Sequence, residues 1–345
     1  MRRGILDQSA ARGCVKGSNV TDRSQPAAHD GHGGLIGQHA WAPYFLVILT
    51  VGIYAGNHVV GRAVHNEISP MALVFWRSMG AAIVLAPFVA RRFIRQWPLL
   101  RRNWKLFLVL ALLQMVLGQS ALYVGLQTST ALNAGFINST MPALTVALAW
   151  LLAGETVSRR QVAGLIVASV GVLAIIMRGD LGRLLALAFV PGDLWLQFAF
   201  VCWSYYNILV NRLTTEINPF VAFMALTLTA LPFLAMLYGA EYLLGAASAP
   251  LTLETVAAIA YVSVFASILA LVCLNVGIAH IGSARSGMMF NLMPVITTGL
   301  AIILLGEQLR LYHVIGIALI FGGIYLSGAL RRQKFAAAVN GKKRT

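Results

Sequence analysis

One arginine stands inside an apolar segment of the chain, and its position is the first indication of chemistry. Arg77 is the single charged residue between positions 70 and 90, seven residues after Pro70. A charge inside a membrane segment costs several kcal/mol unless it pairs or reaches water, so such a residue is a functional candidate. Two interpretations stay open: Arg77 binds a carboxylate or phosphate from a cavity, or it braces helix ends and reaches towards the interface.

Amide and aromatic side chains in other apolar segments are further candidates for substrate binding. Gln119 and Tyr123 are four residues apart, and Trp203 and Tyr206 are three apart, so each pair shares a helical face. A polar group in hydrocarbon needs a partner, which is either a substrate or another helix. The candidate substrate-cavity residues are Asn57, Arg77, Gln119, Tyr123, Asn133, Asn138, Trp203, Tyr206, Asn207, Asn275 and Asn291.

Signals for catalysis, metal binding or proton coupling are weak. The chain has no HExxH, GxSxG or Walker motif and no CxxC pair, so we predict no catalytic residue, metal site or cofactor. None of the eleven acidic residues is predicted to lie deep in a span. His58 and His280 are interpreted as helix-end or packing residues, which leaves proton coupling and facilitated diffusion both open.

The elements that must position these residues are membrane helices. Hydrophobic residues make up 59% of the chain and charged residues 11%, which is too apolar for a soluble core. A crossing needs roughly twenty apolar residues. The predicted spans are 43–63, 70–90, 106–126, 132–153, 160–178, 194–212, 219–239, 256–278, 285–305 and 312–330, with 181–190 as an interfacial segment.

Basic residues predict how these spans are oriented. The tails 1–40 and 331–345 are basic, and the first is predicted to be disordered and cytoplasmic. Most lysines and arginines fall in the tails and in the links after even-numbered spans, which places both termini in the cytoplasm. The net charge of +15 comes from basic residues that flank the membrane segments. We therefore expect contact with membrane lipid and exclude a nucleic-acid partner.

The chain also contains an internal repeat at an offset of 152 positions. The matching pairs are Gly125/Gly277, Gly135/Gly287, Met141/Met293, Pro142/Pro294, Gly154/Gly306, Glu155/Glu307, Gly164/Gly316 and Gly171/Gly323. Five spans per copy make the second copy enter the membrane from the opposite side. The predicted fold is therefore an all-α integral membrane protein, with ten transmembrane helices as two inverted five-helix repeats at 41–178 and 192–330, joined by 179–191.

Opposite charges at equivalent links agree with this inversion. The link between spans 2 and 3 carries Arg91, Arg92, Arg95, Arg101, Arg102 and Lys105, whereas the link between spans 7 and 8 carries Glu241 and Glu254. Equivalent links that face opposite compartments should differ in this way. Inverted repeats around a shared site are a common basis of alternating access.

Residues that agree between the copies are interpreted as structural. Pro142 and Pro294 fall inside apolar spans, where a proline kinks or unwinds a helix. Glu155 and Glu307 follow Gly154 and Gly306, and each carboxylate is expected in the first turn of the next helix, where the dipole favours it. The glycines at 164, 171, 316 and 323 are predicted to let the fifth and tenth spans pack closely. Arg62 and Arg212 are interpreted as interface anchors.

These motifs resemble the EamA-type domain of the drug/metabolite transporter superfamily. The resemblance covers residues 45–330 and rests on Asn57 to Arg62, Pro70, Arg77, Gly125, Pro142 and Gly154-Glu155, repeated as Gly192-Asp193-Leu194, Trp203, Arg212, Pro219, Pro294 and Gly306-Glu307. It implies a ten-helix transporter that moves small metabolites or drugs, often out of the cell. The resemblance also implies a central cavity lined mainly by helices 1, 3, 4, 6, 8 and 9.

The resulting expectation is a secondary transporter that works in the export direction in the inner (plasma) membrane. A membrane enzyme acting on lipid or peptide and an uncoupled facilitator or channel are the alternatives. The expected partners are a small-molecule substrate and membrane lipid. Sequence leaves the substrate and a choice between monomer and homodimer open.

Overall fold

The computed structural model describes residues 41–153, 159–177, 180, 190–210, 213, 217–282, 286–287 and 289–327. Regular secondary structure in these ranges is entirely helical. The two predicted tails, residues 181–189 of the connecting segment, and the structural candidates Gly154 and Glu155 lie outside the described residues, as does Arg212.

Eleven helices are named here in chain order. They are α1 (Ala42–Ala63), α2 (Pro70–Arg102), α3 (Trp104–Thr128), α4 (Ala131–Asn138), α5 (Met141–Ala153), α6 (Arg159–Ile176), α7 (Pro191–Val210), α8 (Pro219–Leu243), α9 (Leu253–Ile281), α10 (Met293–Leu305) and α11 (Leu311–Ser327). Within the described residues, α1, α2, α3, α8 and α9 are long and apolar enough to cross a membrane, by length and composition. Shorter apolar helices occupy Val162–Ile175, Phe290–Leu305 and Leu311–Gly323.

Helix α2 is longer than the predicted second span, 70–90. It continues past residue 90 to Arg102, so five of the six basic residues of the predicted link lie in α2, and the sixth, Lys105, lies in α3. Pro87 and Pro98 lie inside this helix without ending it. Its 33 residues correspond to about 50 Å, which exceeds a hydrocarbon core of about 30 Å.

The fourth and ninth predicted spans are each interrupted beside a proline. Span 132–153 consists of α4 and α5, separated at residues 139–140, and Pro142 is the second residue of α5. In the second copy, a 3₁₀ turn at Phe290–Leu292 precedes α10, whose second residue is Pro294. A proline in the first turn of a helix costs no intrahelical hydrogen bond, so Pro142 and Pro294 suit the starts of α5 and α10.

Two wide turns lie at corresponding places in the copies. A π-helical segment occupies Leu112–Gly118 in α3, and another occupies Tyr261–Leu269 in α9. With the offset of 152, the first segment corresponds to residues 264–270, so the two overlap. π-Helical turns recur at functional sites. Here both offer backbone carbonyls to side chains of other helices, since the Trp203 indole donates to Gln114 O and Arg77 donates to Ala266 O.

Helices of one copy pack against helices of the other. Helix α6 packs on α11, α2 on α8 and α4 on α10, and α1 packs on α9 much as α7 packs on α3. The predicted close approach of small residues is confirmed for α6 and α11: a Cβ added to Gly171 would lie 2.6 Å from Gly316 O, and one added to Gly316 would lie 2.9 Å from Gly171 O. Backbones that approach so closely leave no room for a side chain.

Links between helices also bond in a consistent pattern. The Ser69 N–H donates to Ser248 O at 2.8 Å and the Ser69 hydroxyl donates to the Glu241 carboxylate at 2.6 Å. On another pair of links, the Asn218 N–H donates to Gln96 Oε1 at 3.1 Å. The first two bonds therefore join the segments that follow predicted spans 1 and 7, and the third joins the segments that follow predicted spans 2 and 6.

Candidate functional site

The Arg77 side chain is buried among helices of both copies. Arg77 lies seven residues into α2, about 10 Å from the start of that helix. Its side chain is 8% exposed. Burial of a guanidinium is stable only when its N–H groups are bonded, so the partners of this residue decide what it can do.

Five acceptors surround the Arg77 guanidinium, and all are uncharged. Nη1 donates to Gln119 Oε1 at 2.8 Å, to the Tyr123 hydroxyl at 3.0 Å and to Asn57 Oδ1 at 3.3 Å. Nε donates to the Ser267 hydroxyl at 3.1 Å, and Nη2 to Ala266 O at 3.4 Å. We call these five residues with Arg77 the Arg77 cluster. It joins α1, α2 and α3 of the first copy to the π-helical turn of α9 in the second.

The acceptors are themselves positioned by further bonds. The Tyr123 hydroxyl donates to Asn57 Oδ1 at 2.8 Å, and the Ser267 hydroxyl donates to Val262 O at 2.8 Å. Tyr206 of α7 is partly buried and packs against the hydrophobic core. The cluster is thus a fixed cation in a ring of oxygen atoms.

Among the described residues, no carboxylate accepts a hydrogen bond from the positively charged Arg77 guanidinium. Arg77 has five N–H groups. Nη1 is shared by three acceptors, whereas Nη2 has one, which leaves one Nη2 N–H without an acceptor among the described residues. A cation held by neutral groups can bind an anionic group of a ligand through a short, charge-assisted hydrogen bond.

A second polar network surrounds the start of α4. The buried Asp193 carboxylate, in the first turn of α7, accepts hydrogen bonds from the Ser129 hydroxyl and from Asn133 Nδ2, the latter at 2.9 Å. Asn133 Oδ1 lies 3.0 Å from His313 Nε2. The Arg310 N–H donates to His313 Nδ1 at 3.0 Å. These bonds connect α4, α7 and α11 with the link 306–310.

The N–H groups that begin α4 are bonded by side chains from both copies. Glu307 accepts from the Ala131 and Leu132 N–H groups, each at 2.9 Å, and the Thr130 hydroxyl accepts from the Asn133 N–H at 3.1 Å. Gly306 has φ of 65° at the end of α10, a left-handed conformation that turns the chain towards α4. The first-turn N–H groups of α4 are thereby satisfied.

A pocket of about 560 Å³ opens beside these residues. We call it the Glu307 pocket. Its lining residues are Thr130, Leu132, Asn133, Asp180, Glu307, Gln308, Arg310, Tyr312 and His313.

The structure brings some of the sequence candidates together and separates the others. Asn57, Arg77, Gln119 and Tyr123 meet in the Arg77 cluster, whereas Asn133 belongs to the second network. Asn138 donates to Met293 Sδ at 2.8 Å beside the break between α4 and α5. Asn275 donates to Leu271 O in its own helix, Asn291 lies in the 3₁₀ turn, and Asn207 is exposed although its counterpart Asn57 is buried.

Two predictions about charged residues need correction. Glu307 does not lie in the first turn of the next helix, α11, but bonds the first turn of α4 in the other copy. The carboxylate does lie at the positive end of a helix dipole, as predicted, but the predicted helix was wrong. Distance along the chain does not reveal which helix start is nearest in space. Arg62 is not a simple interface anchor, since its guanidinium donates to Leu126 O and Gln127 O at the end of α3.

Sequence reasoning missed Asp193, His313 and Ser267. Asp193 carried a signal, because an acid within the Pro191-Gly192-Asp193 sequence before an apolar run is typical of a helix start. His313, three residues after Arg310, carried none. Ser267 is one of many small residues in its span, and only the π-helical turn sets it against Arg77.

Known proteins resemble this chain over most of its length. Residues 41–177 and 190–329 each match the EamA-like transporter family. The uncharacterized transporter YyaM of Bacillus subtilis is 27% identical over 302 residues, which cover 84% of this chain and 95% of that protein. A probable amino-acid metabolite efflux pump of Salmonella typhimurium is 26% identical over 305 residues, covering 86% and 98%.

A protein of known crystal structure has a similar fold. It superposes with a TM-score of 0.56 at 19% sequence identity, and the alignment covers 84% of this chain and 97% of that one.

Proposed function

The chain belongs to the EamA-like transporter family, and on that premise we propose that it is a secondary transporter that exports small carboxylate-bearing metabolites. Its apolar helices make it an integral membrane protein. In this proposal it lies in the inner (plasma) membrane with both termini in the cytoplasm, and its two halves alternate access to a shared site.

The Arg77 cluster is the observation that carries the proposal. Its cation is attached to α2 of the first half, and its acceptors come from α1 and α3 of that half and from α9 of the second. A site that lies between two halves changes the side to which it is open when the halves rearrange. The π-helical turns on both sides of the cluster supply backbone that can change its hydrogen bonding.

Packing between the copies supports inverted halves. The pairs α2 with α8 and α6 with α11 each join equivalent helices, α4 with α10 joins parts of the equivalent fourth and ninth predicted spans, and α1 with α9 is the counterpart of α7 with α3. This is the pattern expected for two units related by a pseudo-two-fold axis in the membrane plane. Hydrogen bonds also join the segments after spans 1 and 7, and those after spans 2 and 6. Such pairs are expected if the two kinds of segment lie at opposite membrane surfaces.

The charge of the cluster supports an acidic or zwitterionic substrate. A guanidinium recognises carboxylates through directed N–H groups, and the hydroxyl and amide groups around it can orient a small polar molecule. Amino acids and related metabolites fit this chemistry. The efflux pump of Salmonella typhimurium, which is named for amino-acid metabolites, supports the same class and the outward direction.

Transport by purified protein in proteoliposomes tests the proposal. Vesicles loaded with unlabelled L-amino acids or small carboxylic acids should accumulate the same labelled compound by counterflow, and amine cations should not be exchanged. Arg77→Gln should lower counterflow about a hundredfold, since a hydrogen bond to a charged group contributes roughly 1.5–3 kcal/mol. Arg95→Gln, an exposed arginine of the same helix, is the matched control and should transport normally.

Two outcomes would oppose the proposal. If Arg77→Gln exchanges carboxylates as fast as the wild type, Arg77 does not recognise the substrate. If Arg77→Gln fails to give folded, monodisperse protein while Arg95→Gln does, the guanidinium is a structural brace, and the substrate contact must lie elsewhere.

A further inference from the structure

The protonation state of His313 is determined by its neighbours. The Arg310 N–H donates to Nδ1, so Nδ1 carries no proton. Asn133 Nδ2 donates to the Asp193 carboxylate, which orients the amide so that its oxygen faces His313 Nε2 at 3.0 Å. An amide oxygen accepts, so Nε2 carries the proton and donates. The ring in this structure is therefore the neutral Nε2–H tautomer.

A second proton on this ring is incompatible with the observed contacts. A protonated imidazole has N–H donors at both nitrogens, so Nδ1–H would face the N–H of Arg310. Their 3.0 Å contact would change from a hydrogen bond to a repulsion between two donors. Protonation of His313 must therefore separate the ring from the link 306–310.

The same link holds the two halves together. Glu307, three residues before Arg310, bonds the Ala131 and Leu132 N–H groups of α4 from the other half. If the link moves at Arg310, the short segment that contains Glu307 moves with it, and this segment positions the carboxylate. A movement of this segment after loss of the Arg310 bond would therefore also move the carboxylate that bonds α4.

We propose that His313 binds a proton that enters through the Glu307 pocket, and that this proton releases the link 306–310 from α4 and opens the two halves on that side. The inference rests on the proposed transport by alternating access and assigns protons as a coupling ligand. In the proposed orientation this side faces outward, because the link follows the ninth span.

Charged groups of several elements face the His313 ring. Among the described residues, the Asp193 carboxylate of α7 reaches the ring through Asn133, and Asp180 after α6 and Glu307 of the link line the same pocket. Arg310 of the link also lines this pocket. On α11 the Tyr312 ring lies 4.2 Å from the His313 ring, and on α4 the Phe136 ring lies 5.3 Å from it.

The direction of the pH effect follows from proton counting. The closed arrangement binds one proton fewer at His313 than the open arrangement. Falling pH therefore favours the open arrangement by up to about tenfold per pH unit, over the range in which the open form is protonated and the closed form is not. An exposed histidine becomes protonated as the pH falls below about 6.5, so the range lies below that pH.

Amide hydrogen exchange measures the opening without any substrate. Full-length protein in nanodiscs is studied between pH 5 and pH 8, with rates corrected for the intrinsic pH dependence of exchange. Peptides containing Ala131, Leu132 and Arg310 should lose protection by up to about tenfold per pH unit as the pH falls below about 6.5, with little change above that pH. His313→Gln should lose this pH dependence, whereas His280→Gln, at an exposed histidine near the end of α9, should retain it.

Several outcomes would overturn the inference. It fails if wild-type protection at these amides does not change with pH, a result that needs no variant to fold. It also fails if His313→Gln responds to pH as the wild type does, or if His280→Gln removes the response. Glu307→Gln should lower protection of Ala131 and Leu132 at every pH, and normal protection in that variant would show that Glu307 does not hold α4.

A transport measurement distinguishes this inference from the proposed function. In proteoliposomes, the wild type should accumulate labelled amino acid faster with a pH gradient than without one, and His313→Gln should lose that stimulation but keep counterflow. Counterflow without stimulation in the wild type contradicts proton coupling and leaves the proposed function intact. No counterflow of any amino acid or carboxylate contradicts the proposed function, and the exchange data then stand alone.

Discussion

The Arg77 cluster and the network at the Glu307 pocket are both polar, but their hydrogen bonds are arranged differently. In the cluster, five acceptors converge on one cation, and Asn57 and Tyr123 also bond each other. At the pocket, each residue bonds the next, from Asp193 through Asn133 to His313 and Arg310. A convergent site retains most of its bonds when one partner is lost, whereas a chain is broken by any one loss.

This difference suits the two proposed roles. A binding site needs a cation whose position survives small rearrangements, and several partners provide that. A switch needs one event to alter distant contacts, and a chain of single bonds provides that. The location of the charges follows the same division: Arg77 lies inside a helix and needs partners from other helices, while Glu307 and Asp193 lie where helices begin and free N–H groups stabilise carboxylates.

Removing Asn133 should have the largest effect on stability. Asn133→Ala takes away a donor from the Asp193 carboxylate and the acceptor of His313, both buried. At roughly 1–3 kcal/mol for each buried group, we expect a loss of about 3 kcal/mol in the free energy of unfolding. Unfolding by SDS in mixed micelles measures it. Asn275→Ala, which removes a bond to Leu271 O in its own helix, is the control and should cost less than about 1 kcal/mol.

Removing Gln119 should have a smaller effect, although its oxygen makes the shortest of the five hydrogen bonds to Arg77. Gln119→Ala leaves Nη1 with Tyr123 and Asn57 as acceptors, so we expect a loss of about 1.5 kcal/mol in the same assay. A loss as large as that of Asn133→Ala would show that the acceptors around Arg77 do not substitute for one another. The contrast between a convergent site and a chain would then be wrong.

The smallest expected effect is that of Tyr123→Phe. Arg77 can still donate to Asn57 Oδ1 when the hydroxyl is absent, so the free energy of unfolding should fall by about 1 kcal/mol. Tyr238→Phe, in a ring that stacks on Phe75, provides a matched change of the same atom. Combining Tyr123→Phe with Gln119→Ala sharpens the comparison, because a loss greater than the sum of the two would show that each compensates for the other.

Much of the Arg77 cluster was predictable because its members are polar residues inside apolar segments. Asn57, Arg77, Gln119 and Tyr123 were all candidates on that basis. The network at the pocket was not predictable, because acids and histidines near helix ends are common and need no special partner. Asn133 was a candidate, but nothing in its surroundings along the chain connected it with Asp193, 60 positions away, or with His313, 180 positions away.

The sequence by itself determined the helical character, the apolar segments, the duplication and the family, since each depends on composition or on spacing along one chain. Only the tertiary structure decided that α2 runs on to Arg102, that the fourth span is broken, and that Glu307 bonds α4 and not its own next helix. The physical reason is the same in each case. A hydrogen bond or a helix end is chosen by the groups nearest in space, and in a bundle of packed helices those groups come from distant parts of the chain.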